Sequence, residues 1–377
     1  MSRQTRHYGL DALRGVVMVL MAIDHVRLYG GIPAGGPTAG LFFTRWVTHF
    51  CAPAFVFLAG TSAFLYGRAS GDLPALSRFL LTRGLLLVVL ELTVVKFSWG
   101  FNLNYAAFTL AGVIWMIGWC MVLLSMLVRL GGARTLGIIG VAIIVSQPVF
   151  GLVPNLLPAS VAPYWEFIYP AGLDAPGGIQ VLYVIVPWIG VMAAGYGFGA
   201  IVTMENAARR RWCLRIGLGA TALFLAIAIP VAAMQEAPPN APPLLYRILG
   251  QNKYPASLLF LLMTLGPAIA LLPLADHWRG RVGRFFETFG RVPMFYYLLH
   301  IPAIHLATLA TAWLRGDGLH HDWYRTAPYA QIPPDARWSL GELYAVFAIV
   351  VVILYFPCAW YARLRARHPR PRWLTYI

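Results

Sequence analysis

Charge is scarce in this chain: 11% of its 377 residues are Asp, Glu, Lys or Arg, with 14 acidic residues against 29 basic. Soluble domains carry about a quarter charged residues, and no water-soluble core needs the 59% hydrophobic content found here. A soluble globular protein is therefore excluded, and the chain reads as a multi-pass membrane protein. Cysteine is equally sparse. Cys51, Cys120, Cys213 and Cys358 stand singly, without metal or disulfide spacing, and are read as packing residues. The basic N-terminus, Met1 to Gly9, is followed by no small-residue cleavage site, so the first apolar segment is expected to stay as a helix rather than leave as a signal peptide. Internal repeats are absent too, which weighs against an inverted-repeat transporter. With no separate soluble stretch, a single integral-membrane domain over residues 1–377 is expected, an all-α polytopic membrane bundle. The 27 prolines and 36 glycines do not oppose this, because membrane helices tolerate both.

Apolar runs of about 20 residues, enough to span a bilayer, fall at 10–31, 46–67, 80–99, 107–128, 135–154, 179–204, 214–234, 255–275, 293–314 and 343–362. Ten membrane helices follow. With both termini in the cytoplasm, 21 of the 29 basic residues lie on inner segments and 8 on outer ones, the asymmetry that sets orientation. A net charge of +15 suggests nucleic acid at first, but the arginines are spread loop by loop. Anionic headgroups explain them better, so the lipid bilayer is the expected partner and nucleic acid is not. Three outer connections, Asn155 to Gly178, Glu236 to Tyr254 and Arg315 to Glu342, are rich in Pro, Gly, Tyr and Trp and are expected to cap the bundle. Gly195 and Gly199 are spaced for close helix packing.

The first apolar segment is the place to look for chemistry. It carries Asp11, Arg14, Asp24, His25 and Arg27, and each charge near a bilayer centre costs on the order of 3 kcal/mol even on lenient scales. At 100° per residue Asp11, Arg14, Met18, Met21 and His25 share a sector of about 80°, with Asp24 and Arg27 on another side. His25 lies about 21 Å along the axis from Asp11, so one helix reaches both membrane surfaces. Asp11 with Arg14 and Asp24 with Arg27 also fit local ion pairs that stabilise helix ends. An imidazole titrates near neutrality, which makes His25 the best general-base candidate, with Asp24 or a carboxylate from another helix to orient it. His49, four residues before Pro53, puts a second imidazole at similar depth. Glu91, near mid-membrane, requires a partner, expected to be a histidine or arginine from another helix. His300 and His305 diverge by about 140° on a regular helix and lack an accompanying carboxylate, so no metal site is expected.

The string Leu10-Asp11-Ala12-Leu13-Arg14-Gly15, continuing to Asp24-His25-Val26-Arg27, resembles the opening helix of the heparan-alpha-glucosaminide N-acetyltransferase-like family of membrane proteins. Pro53-Ala54-Phe55-Val56-Phe57-Leu58-Ala59-Gly60, Asn252-Lys253-Tyr254-Pro255-Ala256-Ser257 and Phe289-Gly290-Arg291 through His300 extend the resemblance, to the bacterial branch most closely. The resemblance implies transfer of an acetyl or other acyl group from cytosolic acetyl-CoA or another acyl-CoA, without a metal, to a sugar-like acceptor across the membrane. Asp11 and Arg14 then lie near the cytosolic donor, joined by Arg83 and Arg291 for its phosphates. His25, Asp24 and His49 form the catalytic set, and Arg27, Lys253 and His300 bind the acceptor. One departure matters: the family's proposed catalytic histidine lies in the first outer loop, whereas Ile32 to Phe43 contains none, so an acetyl-histidine there is impossible. The expected location is the bacterial inner membrane, with a homodimer left open. The rival reading is a proton-coupled transporter or channel using Asp11, Asp24, His25, Glu91 and His300 as a relay.

Overall fold

Helix occupies part of every one of the ten apolar segments. A computed structural model describes residues 7–36, 38–106, 108–170, 178–236 and 241–367, which leaves Arg3, Arg6, Arg370 and Arg372 of the basic inner set outside the described residues. In chain order the helices begin with α1 (Tyr8–Tyr29), α2 (Ala39–Trp46), α3 (Cys51–Ser70), α4 (Leu73–Leu90) and α5 (Lys96–Gly100). They continue as α6 (Val113–Leu127), α7 (Ala133–Val145), α8 (Gln147–Phe150), α9 (Trp188–Val202) and α10 (Asn206–Met234). The last five are α11 (Leu244–Leu249), α12 (Leu258–Ala275), α13 (Arg281–Arg291), α14 (Pro293–Arg315) and α15 (Leu340–Ala366). Two short strands, β1 (Thr109–Ala111) and β2 (Ile179–Val181), pair in parallel with Leu110 opposite Gln180.

Among the described residues, five helical stretches are long and apolar enough to cross a membrane: Ala39–Ser70, α10, α12, α14 and α15. A sixth is counted if α7 and its continuation, bent by 60°, form one span. This is the pattern of a multi-pass membrane protein. The segments outside that set depart for physical reasons. The 22-residue α1 is long enough, but Asp11, Arg14, Asp24 and Arg27 make it too polar for a purely apolar span. The segments expected at 107–128 and 179–204 open as β1 and β2 instead, and α6 and α9 run for 15 residues each. At 1.5 Å per residue each covers about 23 Å, less than the hydrocarbon thickness of about 30 Å. Gly112, with extended backbone, and Pro187 stand immediately before them, and a residue preceding proline is steered away from helical dihedrals. At 135–154 the helix breaks after Val145, next to Pro148, which has no N–H to continue the ladder.

The chain divides into two compact units. The first comprises Ala52–Leu92 and Phe108–Pro273. Its helices meet at glycines: a Cβ on Gly195 of α9 would stand 2.1 Å from the Phe57 carbonyl oxygen of α3, and one on Gly199 would meet the Phe64 ring. Only hydrogen fits there, which is the packing role expected of that pair. Glu91 is also in this unit, buried, and its Oε2 accepts the backbone N–H of Ile114 at 3.2 Å. Among the described residues its partner is thus the N-terminus of α6, whose first amides lack intrahelical acceptors, rather than the histidine or arginine expected from sequence.

The second unit comprises His7–Cys51, Thr93–Ala107 and the described part of Leu274–Ile377. Here α1 packs against α13, α14 and α15. The contact with α13 is backbone to backbone. A Cβ on Gly15 would lie 1.7 Å from the Phe286 carbonyl oxygen, and one on Gly290 would lie 1.8 Å from that of Asp11. The glycines of the Leu-Arg-Gly and Phe-Gly-Arg motifs are therefore the two faces of one close approach. The Arg315–Glu342 connection folds over the far end of α1: Trp338 N–H donates to Gly30 O at 2.9 Å, and Tyr324 packs on Tyr29 with ring centroids 5.6 Å apart.

Candidate functional site

Two imidazoles, 275 positions apart in the chain, meet in the second unit. His25 Nδ1 of α1 lies 2.7 Å from His300 Nε2 of α14. His300 Nδ1 lies 2.6 Å from the Tyr297 carbonyl oxygen. A carbonyl only accepts, so His300 Nδ1 carries a proton and donates it, which makes Nε2 the acceptor in the neutral pair. His25 Nδ1 must then be the donor, and the lone pair of His25 sits on Nε2. The fold has thus fixed one tautomer of His25 through its neighbour, the second-partner logic by which a base is aimed.

Aromatic rings hold this pair in place. Tyr296 stacks on His300 at 5.2 Å and 8°, and Trp99 of α5 presents an edge to His25 at 5.0 Å. His300 is fully buried, whereas His25 is half-buried and reachable from outside the packed interior. Tyr29 donates its hydroxyl to the Trp99 carbonyl, tying α1 to α5 one turn beyond His25. His305 faces elsewhere, stacked on Phe101 at 4.0 Å and beside Tyr29 and Tyr324. The divergence of His300 and His305 expected from helical geometry is what α14 displays. Outside the spans, burial pushes the Tyr324 phenol up to about 12, so it is a neutral part of this wall.

Asp24 occupies a different environment from the one that sequence adjacency suggests. Its Oδ1 accepts Arg27 Nε at 3.0 Å, and its Oδ2 accepts Arg45 Nη1 at 2.7 Å, while Arg27 Nη1 also donates to Ile32 O at 2.7 Å. Both carboxylate oxygens are held by guanidinium groups, and the triad locks α1 to α2 and to the turn after α1. The residue placed at His25 Nδ1 is His300, which sequence reasoning assigned to acceptor binding. Arg27 is 4% exposed and bound up in the same lock. His49 is buried in the short turn Val47–Phe50, which packs against α1.

At the opposite end of α1, Arg14 Nη1 donates to Asp11 Oδ1 at 3.1 Å and to Gly290 O at 3.2 Å. Arg365 Nη1 donates to the adjacent carbonyl, that of Arg291, at 3.1 Å. Cations on the last carbonyls of α13 suit the negative end of a helix. Gly9 N–H donates to Asp276 Oδ1 at 3.0 Å, and Arg279 lies over the Tyr8 ring at 4.4 Å. Of the remaining candidates, Arg83 and Lys253 belong to the first unit, Arg83 lying over the Phe79 ring at 5.8 Å. Among the described residues no group of three or more His, Cys, Asp and Glu side chains is placed to hold a metal ion, and all four cysteines are buried and unbridged.

Sequence reasoning missed three participants. Arg45 registered only as an outer positive charge, Trp99 gave no signal, and the pairing of His25 with His300 needed the fold. A family model described as "Heparan-alpha-glucosaminide N-acetyltransferase, catalytic" matches residues 6–228 of the chain. That stretch contains Asp11, Arg14, Asp24, His25, Arg27, His49 and Arg83, and it ends before Lys253, Arg291 and His300. No curated protein matches the chain.

Proposed function

Because the chain belongs to the heparan-alpha-glucosaminide N-acetyltransferase catalytic family, we propose that it is a transmembrane acyltransferase in which His25 is the general base and His300 its positioning residue. Family membership implies acyltransferase activity. The finer reading is that acetyl-CoA, or another acyl-CoA, is the donor from the cytoplasmic side. A sugar-like hydroxyl or amine on the far side of a bacterial inner membrane is the acceptor, with ten spans and both termini inside. The observation that carries this reading is the Tyr297–His300–His25 chain, which turns the basic nitrogen of a half-buried imidazole outward from its support.

In the reaction, the acceptor nitrogen or oxygen attacks the thioester carbon while its proton passes to His25 Nε2. The C–S bond breaks, and the departing thiolate takes that proton from His25, giving acylated acceptor and free CoA thiol. Proton transfer by a positioned side chain contributes about 10²–10⁴ in rate. Arg14 and Arg365, on the neighbouring carbonyls of Gly290 and Arg291, fit the donor's phosphates in charge. On this reading Asp24, Arg27 and Arg45 are structural, and no covalent acyl-enzyme is required.

The test uses purified protein in proteoliposomes with labelled acetyl-CoA on one side and a panel of amino sugars and sugars on the other. Labelled product, identified by mass spectrometry together with stoichiometric CoA thiol, is the expected result. Ion flux without any CoA requirement, and no product, would establish the transporter reading instead.

A further inference from the structure

Phe101 is the one non-glycine among the described residues with a positive φ. At φ 48° and ψ 34° it closes α5 in the left-handed region, donating its N–H to Phe97 O at 2.7 Å. Glycine is the usual occupant of that place, because a Cβ there crowds the following carbonyl oxygen. A phenylalanine keeps such a conformation only where its surroundings over-determine it. Here they do. Asn102 Nδ2 donates to Gly100 O at 3.0 Å and to Arg325 O at 3.3 Å, and a Cβ on Gly100 would stand 3.0 Å from Tyr324 O. The turn is thus clamped against the Tyr324–Arg325 backbone, and what the strained backbone delivers is the ring.

That ring lies flat on His305 of α14, with centroids 4.0 Å and planes 3° apart. His305 is a buried membrane histidine without a part in the chemistry above. Beside it are Tyr324 at 5.4 Å and Tyr29 at 5.1 Å. Tyr29 stacks in turn on Trp99, 5.7 Å and 13° away, and donates its hydroxyl to the Trp99 carbonyl. Trp99 stands 5.0 Å from His25 at 73°. Phe101, His305, Tyr29 and Trp99 are therefore one chain of ring contacts that ends on the imidazole assigned as base, and all of it lies in the second unit.

The hydrogen bond to His300 selects the tautomer of His25 but fixes only one point of its ring. The terminal torsion of a histidine side chain is broad, so the direction of Nε2 is set by what touches the ring, and Trp99 touches it. We propose that Phe101 and His305 are positioning residues for His25, acting through Tyr29 and Trp99 to fix the plane of its imidazole and hence the direction of Nε2. The catalytic consequence rests on the functional reading above; the chain of ring contacts does not.

The experiment compares the full chain in detergent with Phe101→Gly, Phe101→Leu and Trp99→Leu. Glycine relaxes the backbone and removes the ring; leucine keeps apolar bulk without a flat face. Two readouts are taken. One is kcat and the acetyl-CoA KM, from CoA thiol release with the same panel of amino sugars and sugars. The other is the proton shifts of the His25 ring in histidine-labelled protein, assigned by their loss in His25→Ala. In the wild type the Trp99 ring current displaces those shifts. Both Phe101 variants should move them towards their position in Trp99→Leu and lower kcat roughly 10- to 100-fold, the scale on which misplacement of a catalytic group costs rate, with KM unchanged. Wild-type shifts or a wild-type kcat in both variants overturn the proposal, and so does a defect confined to KM. Failure of both to fold also overturns it, because the ring would then serve the core alone. A wild type that transfers no acyl group removes the acyltransferase reading while the His25 shifts still decide the ring contacts; transfer with His25 shifts indifferent to Phe101 leaves that reading and removes the positioning role.

Discussion

Replacing His300 by phenylalanine isolates what one buried imidazole does for another. The ring remains between Tyr296 and Tyr297, so packing is nearly conserved, but the 2.7 Å acceptor of His25 Nδ1 disappears. An N–H left without its acceptor in a buried setting costs about 1–3 kcal/mol. At 1.36 kcal/mol per tenfold, that is roughly a 5- to 150-fold fall in kcat. The half-burial of His25 favours the lower part of that range, since water can reach it. The KM for the acyl-CoA should not move, because Arg14 and Arg365 lie at the other end of α1. In a cycle with His25→Ala, the double variant should lose no more than His25→Ala alone, since His300 acts through His25. Initial rates of CoA thiol release, normalised to folded protein by size-exclusion chromatography, read all four proteins. A His300→Phe enzyme with unchanged kcat, or a double variant whose loss is the product of the two single losses, refutes the positioning role of His300.

Three further substitutions probe the scaffold. Gly290→Ala puts a methyl where 1.8 Å separates it from the Asp11 carbonyl oxygen, and overpacking of that kind costs about 1–3 kcal/mol, read as a lowered Tm. Asp24→Ala removes the carboxylate that Arg27 and Arg45 share, and removal of one partner from a buried pair costs about 3–5 kcal/mol, so folded yield should fall sharply. If yield is normal and only turnover is lost, Asp24 is chemical rather than structural. Glu91→Gln keeps an oxygen for the Ile114 amide and should melt close to wild type. Glu91→Ala leaves that amide unpaired and should lose about 1–3 kcal/mol in denaturant titrations.

The sequence disclosed the helical bundle because apolar runs and period-3.6 polarity are local properties. Asp11 and Arg14 on one sector, and Asp24 with Arg27 one turn apart, follow from helix geometry alone, and the structure places both pairs within ion-pair distance. The partners from other elements were not legible. Arg45 reaches Asp24 only because α2 folds back on α1, and Glu91 finds backbone amides, which no side-chain pattern announces. His300 was visible as a membrane histidine, but its link to His25 is a contact of tertiary packing. The breaks at β1, β2 and Pro148 had signals in Gly112, Pro187 and Pro148 itself; hydropathy, being an average, smoothed over them.

The most direct measurement is single-turnover transfer from labelled acetyl-CoA by His25→Ala, with donor binding measured separately on the same protein. Wild-type affinity for acetyl-CoA with transfer slowed about 10²–10⁴-fold is the predicted result. Transfer at the wild-type rate, or loss of donor binding as the sole defect, would contradict it.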